Sequence, residues 1–293
     1  MEHFHGKDMK EYCSFFAGGK ADDLYIPHSV EEVQGLLKAF RKEGRDYYIL
    51  GKGSNLLISD DGLRDPVILL RENLSGVQYE ENRETEEAYF TALSGTTLSA
   101  LAKFAEEKGY CGMEPLSGIP GTVGGAVKMN AGAYNAEIKD VFLRGQFCTA
   151  EGEILSMENR EMDFSYRHSA VTDGMVCLSA TFLLKKGEKK AIHEKMEEYR
   201  LRRAEKQPLE LPSAGSTFKR PEGDYASRLI EHAGLRGFQI ENAGVSEKHC
   251  GFVVNLGNAS AKNIYTVILE VIRIVKEKEG VQLEPEVKLW GKF

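Results

Sequence analysis

The sequence predicts an α+β protein, a chain of mixed helices and strands in two or three domains. Three observations carry this. Its 293 residues can bury a sizeable core and are enough for more than one domain. Segments with apolar residues at helical spacing alternate along the chain with short strand-like runs. One stretch, residues 115–134, is rich in Gly, Pro, Thr and Asn, with Lys128 its only charge. Gly118, Gly121, Gly124, Gly125 and Gly132 punctuate it. Glycine lets a backbone approach a ligand closely, and free N–H groups in such a loop form a concavity for an anion, usually a phosphate. A lone glycine pair reads more simply as a tight turn beside a buried strand. Recurrence through the whole stretch points instead to a buried loop that lines a ligand.

Residues 1–10 are polar and expected to be loose. Ser29 opens a capping box with Glu32, and Val33, Leu36, Leu37 and Phe40 continue at helical spacing until Gly44. A short strand, 47–50, runs into Gly51-Lys-Gly-Ser-Asn-Leu-Leu-Ile, and 67–70 is another strand. Two familiar readings of the strand and glycine loop fail. A dinucleotide fingerprint needs glycine three positions after Gly53, where Leu56 stands. Gly51-Lys-Gly-Ser also has the wrong order for a P-loop. A phosphate-cradling turn of another kind remains, with Ser54 and Asn55 able to add side-chain hydrogen bonds. Residues 88–93 form a strand, and Thr97 caps a helix through Leu98, Leu101, Phe104 and Ala105 that closes at Gly109.

After the glycine stretch, 141–148 and 176–184 read as strands around an irregular segment, Phe164-Ser-Tyr-Arg-His-Ser. Lys185-Lys-Gly-Glu-Lys-Lys is a solvated turn and a domain boundary. A helix over about 191–206 ends in Arg200, Arg202, Arg203 and Lys206. Cations suit a helix C-terminus, but four exceed that role, and a phosphate-facing role is equally open. Pro212-Ser-Ala-Gly-Ser-Thr-Phe-Lys-Arg-Pro is a turn rich in hydroxyls followed by two cations. A short helix over 225–233, a strand over 252–255 and an amphipathic helix from Ser260 to Gly280 follow. The chain ends in an extended tail, Leu283-Glu-Pro-Glu-Val-Lys-Leu-Trp-Gly.

The net charge of −7 argues against general nucleic-acid binding, which needs a basic face. No run is long enough to span a bilayer, and the N-terminus lacks the apolar core of a signal peptide, so a cytoplasmic protein is expected. Five cysteines without a Cys-x-x-Cys suggest buried thiols, neither a disulfide framework nor a zinc site. The histidines form no His-x-x-x-His pair, and no metal is expected.

Three separated motif groups coincide: Gly51-Lys-Gly-Ser-Asn-Leu-Leu with Gly118-Ile-Pro-Gly-Thr-Val-Gly-Gly; Ser165-Tyr-Arg-His-Ser with Ala214-Gly-Ser-Thr-Phe-Lys; and Glu284-Pro-Glu-Val. In this order and spacing, from about Phe15 onward, the chain resembles the UDP-N-acetylenolpyruvoylglucosamine reductase family, flavoenzymes of peptidoglycan precursor synthesis. The loops alone are shared with other flavoenzymes of the vanillyl-alcohol-oxidase type; their combination is specific. The interval from Arg167 to Ser216 is short, which resembles the family's shorter, type II form. The chain departs from the family pattern at Glu241, Asn242 and Cys250, and at Lys288, where many members have arginine.

The resemblance implies a two-subdomain FAD-binding fold of the vanillyl-alcohol-oxidase (PCMH) type over residues 15–187, divided near 72. A smaller α+β substrate-binding domain over 188–282 and a tail over 283–293 that returns to the active site would follow. It implies non-covalent FAD held by Gly51, Lys52, Gly53, Ser54, Asn55, Leu56, Pro115, Ser117, Gly118, Gly121, Thr122, Gly124 and Gly125. NADPH would deliver hydride to FAD, and reduced FAD would reduce an enolpyruvyl ether to a lactyl ether. Hydride adds to the carbon β to the substrate carboxylate, and the enolate-like charge that develops needs fixed positive or donor groups. By motif position Arg167 stabilises that charge, Ser216 supplies the proton and Glu286 is the C-terminal catalytic carboxylate. Tyr166 and Arg203 match substrate-binding positions, with Lys219 and Arg220 as further candidates for the UDP phosphates. Each has a plainer reading alone: a turn hydroxyl, a surface arginine, a solvated glutamate. The expected partner is the UDP-sugar and the expected state a monomer. An alcohol oxidase on this fold, or a non-catalytic nucleotide-binding module, are the competing classes; oxygen reactivity and NADPH consumption discriminate them.

Overall fold

The computed structural model describes residues 1–82 and 84–293. These form two compact units, each made of several pieces of chain. The first comprises Met1–Phe4, Leu24–Lys52 and Asp65–Arg203; the second comprises His5–Asp23, Gly53–Arg64 and Ala204–Phe293.

The chain opens with a strand, β1 (Glu2–Asp8), not the loose terminus the polar sequence suggested. Its side chains are nearly all exposed, so no apolar alternation marks it. It is a strand because its backbone pairs with β2 (Lys20–Ile26). Helix α1 (Val30–Glu43) follows the sequence signals: Ser29 Oγ accepts the Glu32 N–H at 3.3 Å, and Gly44 ends the helix at φ 66°. Strands β3 (Tyr48–Leu50) and β4 (Leu56–Ile58) flank the first glycine loop. β5 (Val67–Leu69) runs parallel to β2 and β3.

The rest of the first unit is built on one antiparallel sheet. Its elements are β6 (Val77–Asn82), β7 (Glu87–Leu93), α2 (Leu98–Lys108), β8 (Tyr110–Cys111), α3 (Val123–Lys128), β9 (Gly132–Ala133), β10 (Ala136–Glu137), β11 (Phe142–Cys148), β12 (Ile154–Glu158) and β13 (Val176–Lys186). The strand order is β12-β11-β13-β7-β6, with β8 alongside β13. Seven consecutive residues of β13, from Val176 to Phe182, are buried, so both faces of this central strand are covered. Its apolar run therefore lacks alternation. α2 and α3 pack on the sheet through Leu98, Leu101, Val123 and Val127 against Phe90 and Phe182. α1 covers Cys148, Val176 and Leu178 with Val33, Leu37 and Phe40. Helix α4 (Lys189–Lys206) buries only Ile192, and the first unit ends within it, after Arg203.

In the second unit α5 (Ala226–His232) precedes a small antiparallel sheet of β14 (Gln239–Ile240), β15 (Ala243–Val245) and β16 (Val253–Asn255). Helix α6 (Ala261–Glu279) covers it with Ile264, Val267, Ile268, Val271 and Val275, all buried. Its start is fixed twice. Ser260 and Asn263 form a capping box, and the Asp60 carboxylate accepts the Ala261 and Lys262 amides at 2.9 Å each. The tail closes as β17 (Lys288–Trp290), parallel to β4 with Lys288 opposite Leu56. All five cysteines are free thiols. Among the described residues no helix is long and apolar enough to cross a membrane.

Candidate active site

The two glycine motifs meet in the first unit. A Cβ at Gly51 would stand 2.4 Å from Thr122 Oγ1, so the strand end and the second motif touch where only glycine fits. Gly124 is constrained in the same way: its Cβ would lie 2.1 Å from Ser94 Oγ, while its N–H bonds Ser94 O at 2.9 Å. The tightness at both positions is therefore set by protein packing. Gly125 differs; it is exposed, and its nearest contact would be 3.6 Å away. Pro115 is the second residue of a 3-10 turn, Glu114–Leu116, and Ser117 Oγ donates back to Glu114 O at 2.7 Å; Gly118 is exposed. Arg71, which the sequence reading passed over, donates to the carbonyls of Gly51 (3.0 Å) and Lys52 (3.1 Å) and fixes the direction of that loop.

After Lys52 the loop belongs to the second unit. Gly53 has φ 67°, and a Cβ there would stand 1.9 Å from Tyr12 O, so both conformation and space require glycine. The amides of Lys52, Gly53, Ser54 and Asn55, like those of Gly118, Gly121 and Thr122, meet no acceptor among the described residues.

Arg203 lies over Gly118, with Nη1 3.3 Å from the place a Gly118 Cβ would take. Burial pulls its guanidinium below the usual arginine value, with Tyr134 opposing. Of the four cations at this helix end, Arg200 pairs with Glu197 and Arg202 with Glu198, while Arg203 meets no carboxylate among the described residues. Tyr166 and Arg167 form the tip of a tight turn. Ser165 and His168 bond each other's backbone at 3.2 and 3.1 Å, Arg167 is left-handed at φ 56°, and its guanidinium stacks 4.8 Å from the Tyr166 ring.

In the second unit, main-chain bonds join the segments that carry Ser216 and Glu286. The Glu286 N–H donates to Thr217 O at 2.8 Å, Phe218 bridges Pro285, and the Lys219 N–H donates to Glu284 O at 2.9 Å. Thr217 is fully buried and its hydroxyl accepts the Val253 N–H at 2.9 Å, whereas Ser216 is exposed. Asn55 joins the same group: its Nδ2 donates to Glu286 O at 3.3 Å, and its carbonyl accepts the Lys288 N–H at 3.0 Å. Lys219 pairs with Glu284 at 3.0 Å and Arg220 stacks on Tyr225 at 4.6 Å, so both cations already hold partners. Sequence reasoning missed Thr217 because an alternating apolar pattern cannot mark a buried hydroxyl; its place beside Ser216 was the only signal.

Comparison with known proteins first sets the class. The family profile described as FAD binding domain matches residues 22–158. The protein is accordingly an FAD-dependent oxidoreductase, with an FAD-binding domain followed by a smaller α+β domain. That second part, residues 207–290, matches the profile described as the C-terminal domain of UDP-N-acetylenolpyruvoylglucosamine reductase. Reductases of that description from Lachnoclostridium phytofermentans and Clostridioides difficile are 47% and 45% identical, over 97% of this chain and 91% of each relative. The crystal structure of the reductase from Thermus caldophilus superposes with a TM-score of 0.79 at 34% identity, covering 99% of this chain and 98% of that one. The chain belongs to the UDP-N-acetylenolpyruvoylglucosamine reductase family. Its loops fit FAD: within the first unit the amides of residues 52, 118, 121 and 122, which meet no acceptor among the described residues, are donors of the kind a pyrophosphate takes.

Proposed function

We propose that the protein reduces the enolpyruvyl ether of UDP-N-acetylglucosamine-enolpyruvate to UDP-N-acetylmuramate with NADPH, as a monomer in the cytoplasm, in peptidoglycan precursor synthesis. The observation that supports the proposal is the Thr217–Glu286 main-chain bond, which joins the segment of Ser216 to the segment of Glu286 within the matched C-terminal domain. The two glycine motifs would hold FAD non-covalently, and FAD when bound would supply the hydride chemistry between NADPH and the substrate carbon β to the carboxylate. Arg167 carries a fixed positive charge at the tip of its turn and stabilises the negative charge that grows on the substrate carboxylate. Ser216 Oγ gives its proton to the adjacent carbon, and Glu286 serves the same half-reaction. Arg203, half-buried and with no carboxylate partner among the described residues, binds a phosphate or the carboxylate-bearing end of the substrate. Tyr166 lines that substrate. Lys219 and Arg220 would have to leave Glu284 and Tyr225 to reach the UDP phosphates. The division into an FAD-binding region over 15–187, a substrate domain over 188–282 and a returning tail belongs to the same reading.

The visible spectrum of the purified protein, followed by NADPH oxidation with and without the enolpyruvyl sugar nucleotide, tests the proposal. A flavin spectrum and oxidation that depends on the nucleotide are expected. Oxidation by oxygen alone, or none with the nucleotide, would overturn it.

A further inference from the structure

One fully buried polar side chain ties the glycine-rich stretch to the Arg167 turn. Asn130, two residues beyond α3, has no solvent exposure and sits in the left-handed region at φ 40°. Asparagine is among the few residues that tolerate this conformation. Its carboxamide makes three hydrogen bonds: Nδ2 donates to Ser165 O at 2.9 Å and to Glu137 Oε2 at 3.1 Å, and Oδ1 accepts the Lys139 N–H at 3.0 Å. The Ser165 carbonyl also accepts the His168 N–H at 3.1 Å, so both of its lone pairs are used. The turn is pinned on its other side, where Ser169 Oγ donates to Lys128 O at 2.8 Å. Between these anchors Arg167 holds a left-handed backbone that a side chain other than glycine rarely adopts. Such a conformation persists only where its surroundings over-determine it.

We propose that Asn130 is a positioning residue for Arg167: its buried carboxamide grips Ser165 O and so fixes the direction in which the turn presents the guanidinium. This rests on the role given to Arg167 above. Neither element supplies the geometry alone. The turn has two internal backbone bonds and an exposed tip, whereas the carboxamide is anchored at two points, Glu137 and Lys139, on one other segment of the fold.

The test uses two variants of the FAD-loaded protein. Asn130→Gly keeps the left-handed backbone comfortable and removes all three side-chain bonds. Asn130→Asp keeps the volume and the acceptor for Lys139, and at a pH where its carboxyl is ionised it cannot donate to Ser165. Both should bind FAD and be reduced by NADPH at near the parent rate. Reoxidation by the enolpyruvyl sugar nucleotide should slow on the order of 10²-fold, the scale of a misplaced catalytic group. Independently of activity, hydrogen exchange at the Ser165 and His168 amides should quicken about tenfold, in scale with the loss of one hydrogen bond. Arg167→Ala combined with Asn130→Gly should be no slower than Arg167→Ala alone, because the two changes remove one function. Parent-like reoxidation or exchange in Asn130→Gly overturns the inference, as does simple multiplication of the two effects in the double variant. Failure of both Asn130 variants to fold with FAD would make Asn130 a stability residue and overturn it too. If Arg167→Ala itself reoxidises at the parent rate, the Arg167 role falls and takes this inference with it. A slow Arg167→Ala beside a fast Asn130→Gly removes the inference alone.

Discussion

The turn that carries Arg167 and the segments that carry Ser216 and Glu286 hold functional side chains by different means. Arg167 is itself left-handed, and its turn hangs on a carboxamide from another part of the chain. Ser216 and Glu286 lie on segments joined by backbone bonds at Thr217 and Lys219. There the left-handed residue is Gly215, at φ 73°, beside the reactive serine. Strain is thus kept out of Ser216 and placed in Arg167. The first arrangement depends on side-chain anchors, Asn130 and Ser169. The second depends on main-chain pairing and should tolerate most changes at the surrounding side chains.

Substitutions in the second region can break that contrast. Thr217→Val keeps the shape but leaves the buried Val253 N–H without its acceptor, and should cost about 1–3 kcal/mol in urea unfolding. Gly215→Ala puts a Cβ on a left-handed residue with nothing within 4 Å, so conformation alone is charged, and about 1 kcal/mol should be lost. Glu241 is left-handed at φ 49°, a conformation that glycine adopts without cost. Glu241→Gly should therefore stabilise, by up to about 1 kcal/mol after the entropy of glycine is deducted. Glu284→Ala breaks only the exposed pair with Lys219, and thermal unfolding should register a change below about 0.5 kcal/mol with substrate turnover intact. A large loss of turnover in Glu284→Ala would show that side chains, and not backbone pairing, hold the second region.

The parts of the molecule that were legible in the sequence are those where side-chain chemistry and local conformation agree. Ser29 and Gly44 bracket α1, Thr97 and Gly109 bracket α2, and Ser260 and Gly280 bracket α6, because caps act within a few residues. The glycine motifs were legible as crowded backbone, but their reason was not. Gly51 and Gly124 are glycine because Thr122 and Ser94 come within 2.4 and 2.1 Å of where a Cβ would be, contacts set by tertiary packing. Strands β1 and β17 were hidden because backbone pairing alone defines them while their side chains stay largely exposed. Asn130 and Arg71 were invisible for a related reason: a single polar residue shows its partners only after distant segments meet.

The central claim is that Ser216 delivers the proton after hydride has left the flavin, and stopped-flow absorbance of Ser216→Ala tests it most directly when the two half-reactions are run separately. Reduction of the flavin by NADPH should proceed at near the parent rate. Reoxidation by the enolpyruvyl sugar nucleotide should fall by a factor on the order of 10²–10⁴, the worth of a positioned proton donor. Slow reduction by NADPH with unimpaired reoxidation would contradict the claim even if total activity fell.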